Sequence, residues 1–176
     1  MDINLFIQNL DKNTKDTLHA AKNCSPEQLR YRENGKWSIL QILEHICITD
    51  RVIHKIILKP SDNLHDTHEL VGDARLKKIL VDLRARRIES PEMLKPKDAP
   101  PDFKTFEKLF VTERNLLKQG LQTGKIVVDN RIHKHPFLDN MTIADWLNFI
   151  IHHTKRHLEQ IKENLKQYQV KESQQL

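Results

Sequence analysis

Asp145-Trp146-Leu147-Asn148-Phe149-Ile150-Ile151-His152-His153-Thr154-Lys155-Arg156-His157-Leu158-Glu159-Gln160-Ile161 is the stretch that decides how this 176-residue chain is read. A helix through it brings His153 and His157, four residues apart, onto one face, about 6 Å apart along the axis. At about 100° per residue, Trp146, Leu147, Ile150, Ile161 and Leu165 define one apolar sector. His157 falls inside that sector and His153 on its flank. His152 projects to the other side with Asn148, Glu159 and Glu163, and reads as a solvated surface residue.

The pair alone is a weak signal, because ten histidines in the chain produce some such spacings by chance. A third histidine strengthens it. Upstream, Trp37-Ser38-Ile39-Leu40-Gln41-Ile42-Leu43-Glu44-His45-Ile46 opens another helical apolar pattern. Ile42, Ile46, Thr49, Val52, Ile53 and Ile56 mark its buried side. His45 sits at the edge of that side. His54 lies half a turn away from His45 and reads as a surface residue. Three neutral imidazoles meeting in a helical core make a divalent-metal site with open positions. The alternative is a hydrogen-bonded core histidine with no ion.

Outward from these stretches, the chain divides into four amphipathic segments. Ile3, Phe6, Ile7, Leu10, Thr14, Thr17 and Ala21 give the first helix. Ser25-Pro26-Glu27-Gln28 is an N-cap followed by a first-turn proline, so a short helical turn follows. The second helix is expected from about Ser38 to Leu58, with Pro60 as a stop. Phe103, Phe106, Leu109, Phe110, Leu116 and Leu117 give the third, and Thr142 to about Gln167 the fourth. The connection from Lys59 to Asp102 is too long for an antiparallel hairpin and can return the chain so that helices two and three run parallel. Within it, Asp73 to Arg87 has helical character and Pro91, Pro96, Pro100 and Pro101 make an extended passage. Ile126 to Val128 is a candidate short strand. One domain is expected over residues 1–170, with a polar tail at 171–176 that frays from Val170.

Four glycines and few aromatic residues favour helices over sheet, so the fold class is all-α. No apolar run approaches a bilayer span, and Met1 to Asn13 carries acids and no signal-peptide pattern, so the cytoplasm is the expected location. Cys24 and Cys47 form no metal motif and read as reduced thiols. The net charge of +5 raises nucleic acid as a partner. Lys77, Lys78, Arg84, Arg86 and Arg87 concentrate positive charge in the long connection, but Asp82, Glu89 and Glu92 interrupt it and no aromatics are interleaved. A solvated basic face is therefore preferred over a nucleic-acid surface. The expected partner is a small-molecule substrate, with a homodimer allowed.

The two histidine stretches, together with His135-Pro136-Phe137-Leu138-Asp139-Asn140-Met141-Thr142, resemble the DinB/YfiT-like superfamily. The resemblance covers both halves of the chain. It implies a four-helix bundle of up-down-down-up order. It also implies a divalent metal, often nickel or zinc, on one histidine of the second helix and the pair of the last: here His45, His153 and His157. Relatives commonly carry a glycine after the His-Pro pair, where this chain runs Phe137-Leu138-Asp139.

A tris-imidazole ion keeps its full charge and lowers a bound water towards pKa ~7, or holds a thiol as thiolate. Thr154 follows His153 where a zinc protease would carry glutamate, so a general base must come from elsewhere. Glu113 is the candidate catalytic residue, because it falls at the centre of the stripe made by Phe106, Leu109, Phe110, Leu116 and Leu117. Its partner would be a metal-bound water, a ligand histidine, or a lysine or arginine. Gln160 is either a donor behind His157 or a solvated flank residue. Asp50 either orients a ligand or pairs with Arg51 or Arg114. Three functions follow. The first is a small-thiol S-transferase, since the resemblance includes relatives acting on bacillithiol or mycothiol. The second is a metal-dependent hydrolase of a small substrate. The third is a non-enzymatic metal-binding stress protein.

Overall fold

The computed structural model describes residues 1–84, 89–98 and 100–174. The long helices are α1 (Ile3–Lys22), α3 (Ile39–Ile57), α5 (Phe103–Gln122) and α6 (Ile143–Ser173). Short helices α2 (Pro26–Arg30) and α4 (Asp73–Lys77) lie in the connections. A hairpin of β1 (Ile132–His135) and β2 (Asp139–Thr142) precedes α6. Local chemistry fixes the starts. Ser25, Ser38 and Thr142 each form a capping box, with Gln28, Gln41 and Asp145 respectively. Asp2 and Asp102 cap α1 and α5 with their carboxylates.

Two apolar clusters show how the helices run. One joins Phe6 and Leu10 to the late residues Ile53 and Ile57 of α3, Leu117 and Leu121 of α5, and the early residues Ile143 to Ile151 of α6. The other joins Ala21 to early α3, to Phe106 and Phe110 of early α5, and to Ile161 of α6. Helices α3 and α5 therefore run parallel, as do α1 and α6, and each pair is antiparallel to the other. That is the up-down-down-up bundle expected from the long connection. Burying each large side chain of these clusters contributes about 1.5–3 kcal/mol.

Between the clusters the core is polar. Arg114 of α5 is 2% exposed. Its Nε donates to Asp50 of α3 at 2.7 Å, one terminal nitrogen to Asn13 of α1 at 3.2 Å, and the other to Thr154 of α6 at 2.7 Å. One guanidinium thus joins all four helices, with the Phe110 ring 4.7 Å away. This corrects the phase expected for α5. Leu109 and Leu116, expected inside, are 41% and 47% exposed. The buried stripe runs through Phe106, Phe110, Arg114, Leu117, Gly120 and Leu121. Gly120 lets Ile126 pack close to α5, since an added Cβ would lie 2.6 Å from its Cδ1 and would displace that side chain.

The crossover wraps the outside of α6. Helix α4 and the π-helical turn Lys78–Asp82 bury Leu76 and Leu80 in the first cluster. Asp145 anchors the approach. Its buried carboxylate accepts the N–H groups of Leu70, Val71 and Gly72 at 2.9, 3.1 and 2.8 Å. Burial pushes this acid up, but these bonds and that from Thr142 outweigh it and hold it below the usual carboxylate value.

Three further expectations change. No strand forms at Ile126 to Val128, where Ile126 packs as a core residue; the strands lie further on, paired from Ile132↔Thr142 to His135↔Asp139. Asp139, the first residue of β2 after the turn, has φ +61°, a left-handed conformation that an aspartate tolerates in place of glycine. Helix α6 continues to Ser173 instead of fraying from Val170, with Lys171 over the Tyr31 ring. Arg86 and Arg87 of the basic run lie outside the described residues. Among those described, no helix is long and apolar enough to cross a membrane.

A three-histidine candidate metal centre

Antiparallel packing of early α3 against the middle of α6 brings His45 to His153 and His157. Nε2 of His153 lies 3.1 Å from Nε2 of His45 and 3.1 Å from Nε2 of His157. All three side chains are buried. Among the described residues, they form the one group of three metal-competent side chains close enough to share an ion.

The outer nitrogens are held. Nδ1–H of His45 donates to the Leu94 carbonyl at 2.8 Å, in the 3-10 turn Glu92–Leu94 of the crossover. Nδ1–H of His157 donates to Oε1 of Gln160 at 2.7 Å. Both acceptors fix the tautomer, so each Nε2 presents a lone pair to His153. Of the two readings open for Gln160, it contacts His157 and is not a solvated flank residue, but it accepts from the ring and does not donate to it. Burial lowers the pKa of His45, partly opposed by the Leu94 carbonyl. Burial, then His157 and His45, hold His153 well below the ordinary value. Burial and His45 bring His157 to about 3. All three rings are neutral at pH 7, the form that binds metal without displacing a proton.

The donor set fits a cation better than it fits hydrogen bonds alone. A proton on Nε2 of His153 can serve one of the two facing lone pairs and leaves the other against it. A proton on Nδ1 leaves three lone pairs converging, and that nitrogen has no partner. An ion with nitrogen ligands at about 2.0–2.1 Å, subtending about 90–109°, requires N···N separations of about 2.9–3.4 Å. The 3.1 Å separations lie inside that range.

The cluster opens on a cavity of about 1380 Å³, lined by Trp37, Ile42, Phe149, Trp146, His135 and Arg156 among others. Phe149 stacks on His153 at 5.3 Å and 17°. The other expected site residues lie elsewhere. Glu113 is half-buried but faces His54 at 2.9 Å and Arg51 at 3.5 Å. His54 comes nine residues after His45, so this pair sits on the opposite face of α3. The side-chain bond to His54 lowers the Glu113 pKa despite burial. His54 is accordingly half-buried and paired, not a free surface residue. Asp50 is the partner of Arg114 and does not orient a ligand.

His152 is the larger correction. It is 3% exposed, with Nε2 2.7 Å from Asp73, because α4 covers the face of α6 that the bundle leaves open. Periodicity could not reveal a cover supplied by a crossover. His135, which the sequence links to the family only through the His-Pro segment, lines the cavity. The Cys47 thiol is buried, which raises its pKa beyond reach at neutral pH and leaves it inert.

The chain belongs to the DinB superfamily, which matches residues 9–161. It is 26% identical over 155 residues to the uncharacterized protein YuaE of Bacillus subtilis (strain 168), covering 84% of this chain and 90% of that one. Its fold is similar to the solved structure of YfiT from Bacillus subtilis, described as a probable metal-dependent hydrolase with an unusual four-helix bundle topology. The TM-score is 0.61 at 17% identity, over 94% of this chain and 87% of that one. At that identity the likeness bears on the fold alone.

Proposed function

We propose that this member of the DinB superfamily is a divalent-metal-dependent enzyme whose ion, nickel or zinc, is held by His45, His153 and His157. We assign it the transfer of a small thiol to an electrophile. The observation that carries the reading is the meeting of three neutral imidazoles at the wall of a cavity of about 1380 Å³. That volume exceeds the ~300–1,000 Å³ of a typical single-ligand pocket and suits a thiol together with its electrophile. When bound, the cation would supply the charge that holds a thiol as thiolate, or a water as hydroxide, at neutral pH. Imidazole donors suit nickel and zinc.

The remaining work falls to the chain. Leu94 and Gln160 aim two of the rings. Trp37, Ile42 and Phe149 exclude bulk water from the wall beside them. Lys36, Lys55, Lys59, Lys134 and Arg84 give the cavity a cationic lining that favours an anionic small thiol. Among the described residues no carboxylate hydrogen-bonds any of the three histidines, and a metal-held thiol needs no separate base to become nucleophilic. A hydrolase is the second reading, and the description of YfiT as a probable metal-dependent hydrolase favours it.

The test is a panel of low-molecular-weight thiols with a chlorodinitrobenzene electrophile, run on metal-loaded protein beside His153→Ala. Thiol-saturable product formation that is lost in the variant supports the transferase. Ester or amide turnover without thiol moves the assignment to a hydrolase. Neither activity, with metal still bound, leaves a non-enzymatic metal-binding stress protein.

A further inference from the structure

Across the Phe149 ring from the histidine cluster, the cavity wall presents hydrogen-bond donors without acceptors. Nδ1 of His135 accepts the N–H groups of Phe137 at 3.1 Å and Leu138 at 3.2 Å. An imidazole nitrogen that accepts is unprotonated, so the proton of the neutral ring sits on Nε2. Among the described residues that N–H meets no acceptor. The ring cannot turn to find one, because Trp146 packs on it at 5.2 Å and Phe149 at 5.0 Å. Burial lowers its pKa to about 4, which keeps it a neutral donor through the physiological range. Trp146 lines the same cavity, and its indole N–H is buried with no partner. An indole can only donate.

The charges nearby have the same sense. Lys55, Lys59 and Lys134 line this cavity, and Lys55 and Lys59 have no ion-pair partner among the described residues. The carboxylates described in the lining, Glu89 and Glu163, face Lys95 at 3.7 Å and Arg84 at 3.8 Å. A buried indole N–H without a partner and an imidazole N–H open to the cavity, beside a surplus of cations, would both be served by a ligand that supplies acceptors.

We infer that His135 and Trp146 form an oxyanion subsite that binds the carboxylate, sulfonate or similar anionic group of an apolar-bodied substrate, one aromatic ring away from the histidine cluster. The assignment deepens the proposed function by naming a substrate class. Phe149, stacked on His153 and packed at a tilt against His135, would then be the spacer between the recognised anion and the reacting end.

The test uses the full-length chain, as purified and again after chelation, so its outcome is separate from metal binding and turnover. The probes are 8-anilinonaphthalene-1-sulfonate and the uncharged N-phenyl-1-naphthylamine, followed by fluorescence titration. His135→Asn keeps an acceptor for the Phe137 and Leu138 N–H groups but cannot extend a donor into the cavity. It is expected to weaken the sulfonate probe about tenfold and to leave the uncharged probe within twofold. Lys59→Ala should weaken the sulfonate probe alone, and the loss should shrink as salt is raised. Sulfonate affinity unchanged in His135→Asn would overturn the subsite. So would an equal loss for both probes, or no sulfonate binding by the parent protein.

Discussion

Replacing Arg114 with methionine should cost about as much stability as the largest core truncations in the bundle. The guanidinium is 2% exposed and bonds to Asp50, Asn13 and Thr154. Methionine fills much of its volume, so the main loss is electrostatic. Asp50 would keep a buried carboxylate with no cation, and one of its oxygens already lacks a partner. Breaking a buried pair from one side costs about 3–5 kcal/mol. Urea unfolding at pH 7 in chelator measures this as a fall in midpoint at constant m. Arg114→Met/Asp50→Leu should recover most of the loss, since both charges leave together. The pH dependence gives a second check. Burial, opposed by Arg114, raises Asp50 from 3.8 to about 6. The folded state therefore holds that proton more tightly than the unfolded chain does. The associated stability is present below the unfolded value and is lost as pH rises through the folded one. That amounts to about 3 kcal/mol between about pH 4 and 6. Arg114→Met removes the opposing cation, so the window should move upward. A variant within about 1 kcal/mol of the parent at pH 7, with no change in pH profile, would refute the claim that this guanidinium ties the bundle.

Two further substitutions separate the histidine cluster from its surroundings. His152→Ala should leave metal affinity within about threefold but cost about 1–3 kcal/mol in urea, because it strips Asp73 of its buried partner and loosens α4 from α6. Glu113→Gln should change the turnover of metal-loaded protein by less than about threefold, since its carboxylate faces His54 and Arg51; a loss above about a hundredfold, of the size expected for a general base, would restore the catalytic role.

The four amphipathic segments and the His153–His157 pair are legible in the sequence because they rest on local periodicity, whereas the joining of His45 to that pair follows from the family resemblance. His153 and His157 share a face by spacing alone, and the length from Lys59 to Asp102 leaves room for a crossover. What failed depended on partners distant in sequence. Glu113 looked central in α5 because leucines at 109 and 116 flank it. A charged neighbour, Arg114, occupies the core instead, since Asp50, Asn13 and Thr154 of three other helices await it. A turn of about 100° separates those two readings, and apolar count alone chose the wrong one. His152 appeared solvated for the same reason: its cover comes from a crossover with no periodic link to α6. The candidate strand at Ile126-Val127-Val128 has strand composition, but Ile126 packs into the core beside Gly120 and the strands form further on.

The central claim, that His45, His153 and His157 hold one divalent ion, is tested most directly by elemental analysis of the purified chain after dialysis against nickel or zinc. The account predicts about one ion per chain in the parent protein and in His152→Ala, and near-complete loss in each of His45→Ala, His153→Ala and His157→Ala with helical content retained. One ion per chain persisting in folded His153→Ala, the ring that touches both others, would contradict it.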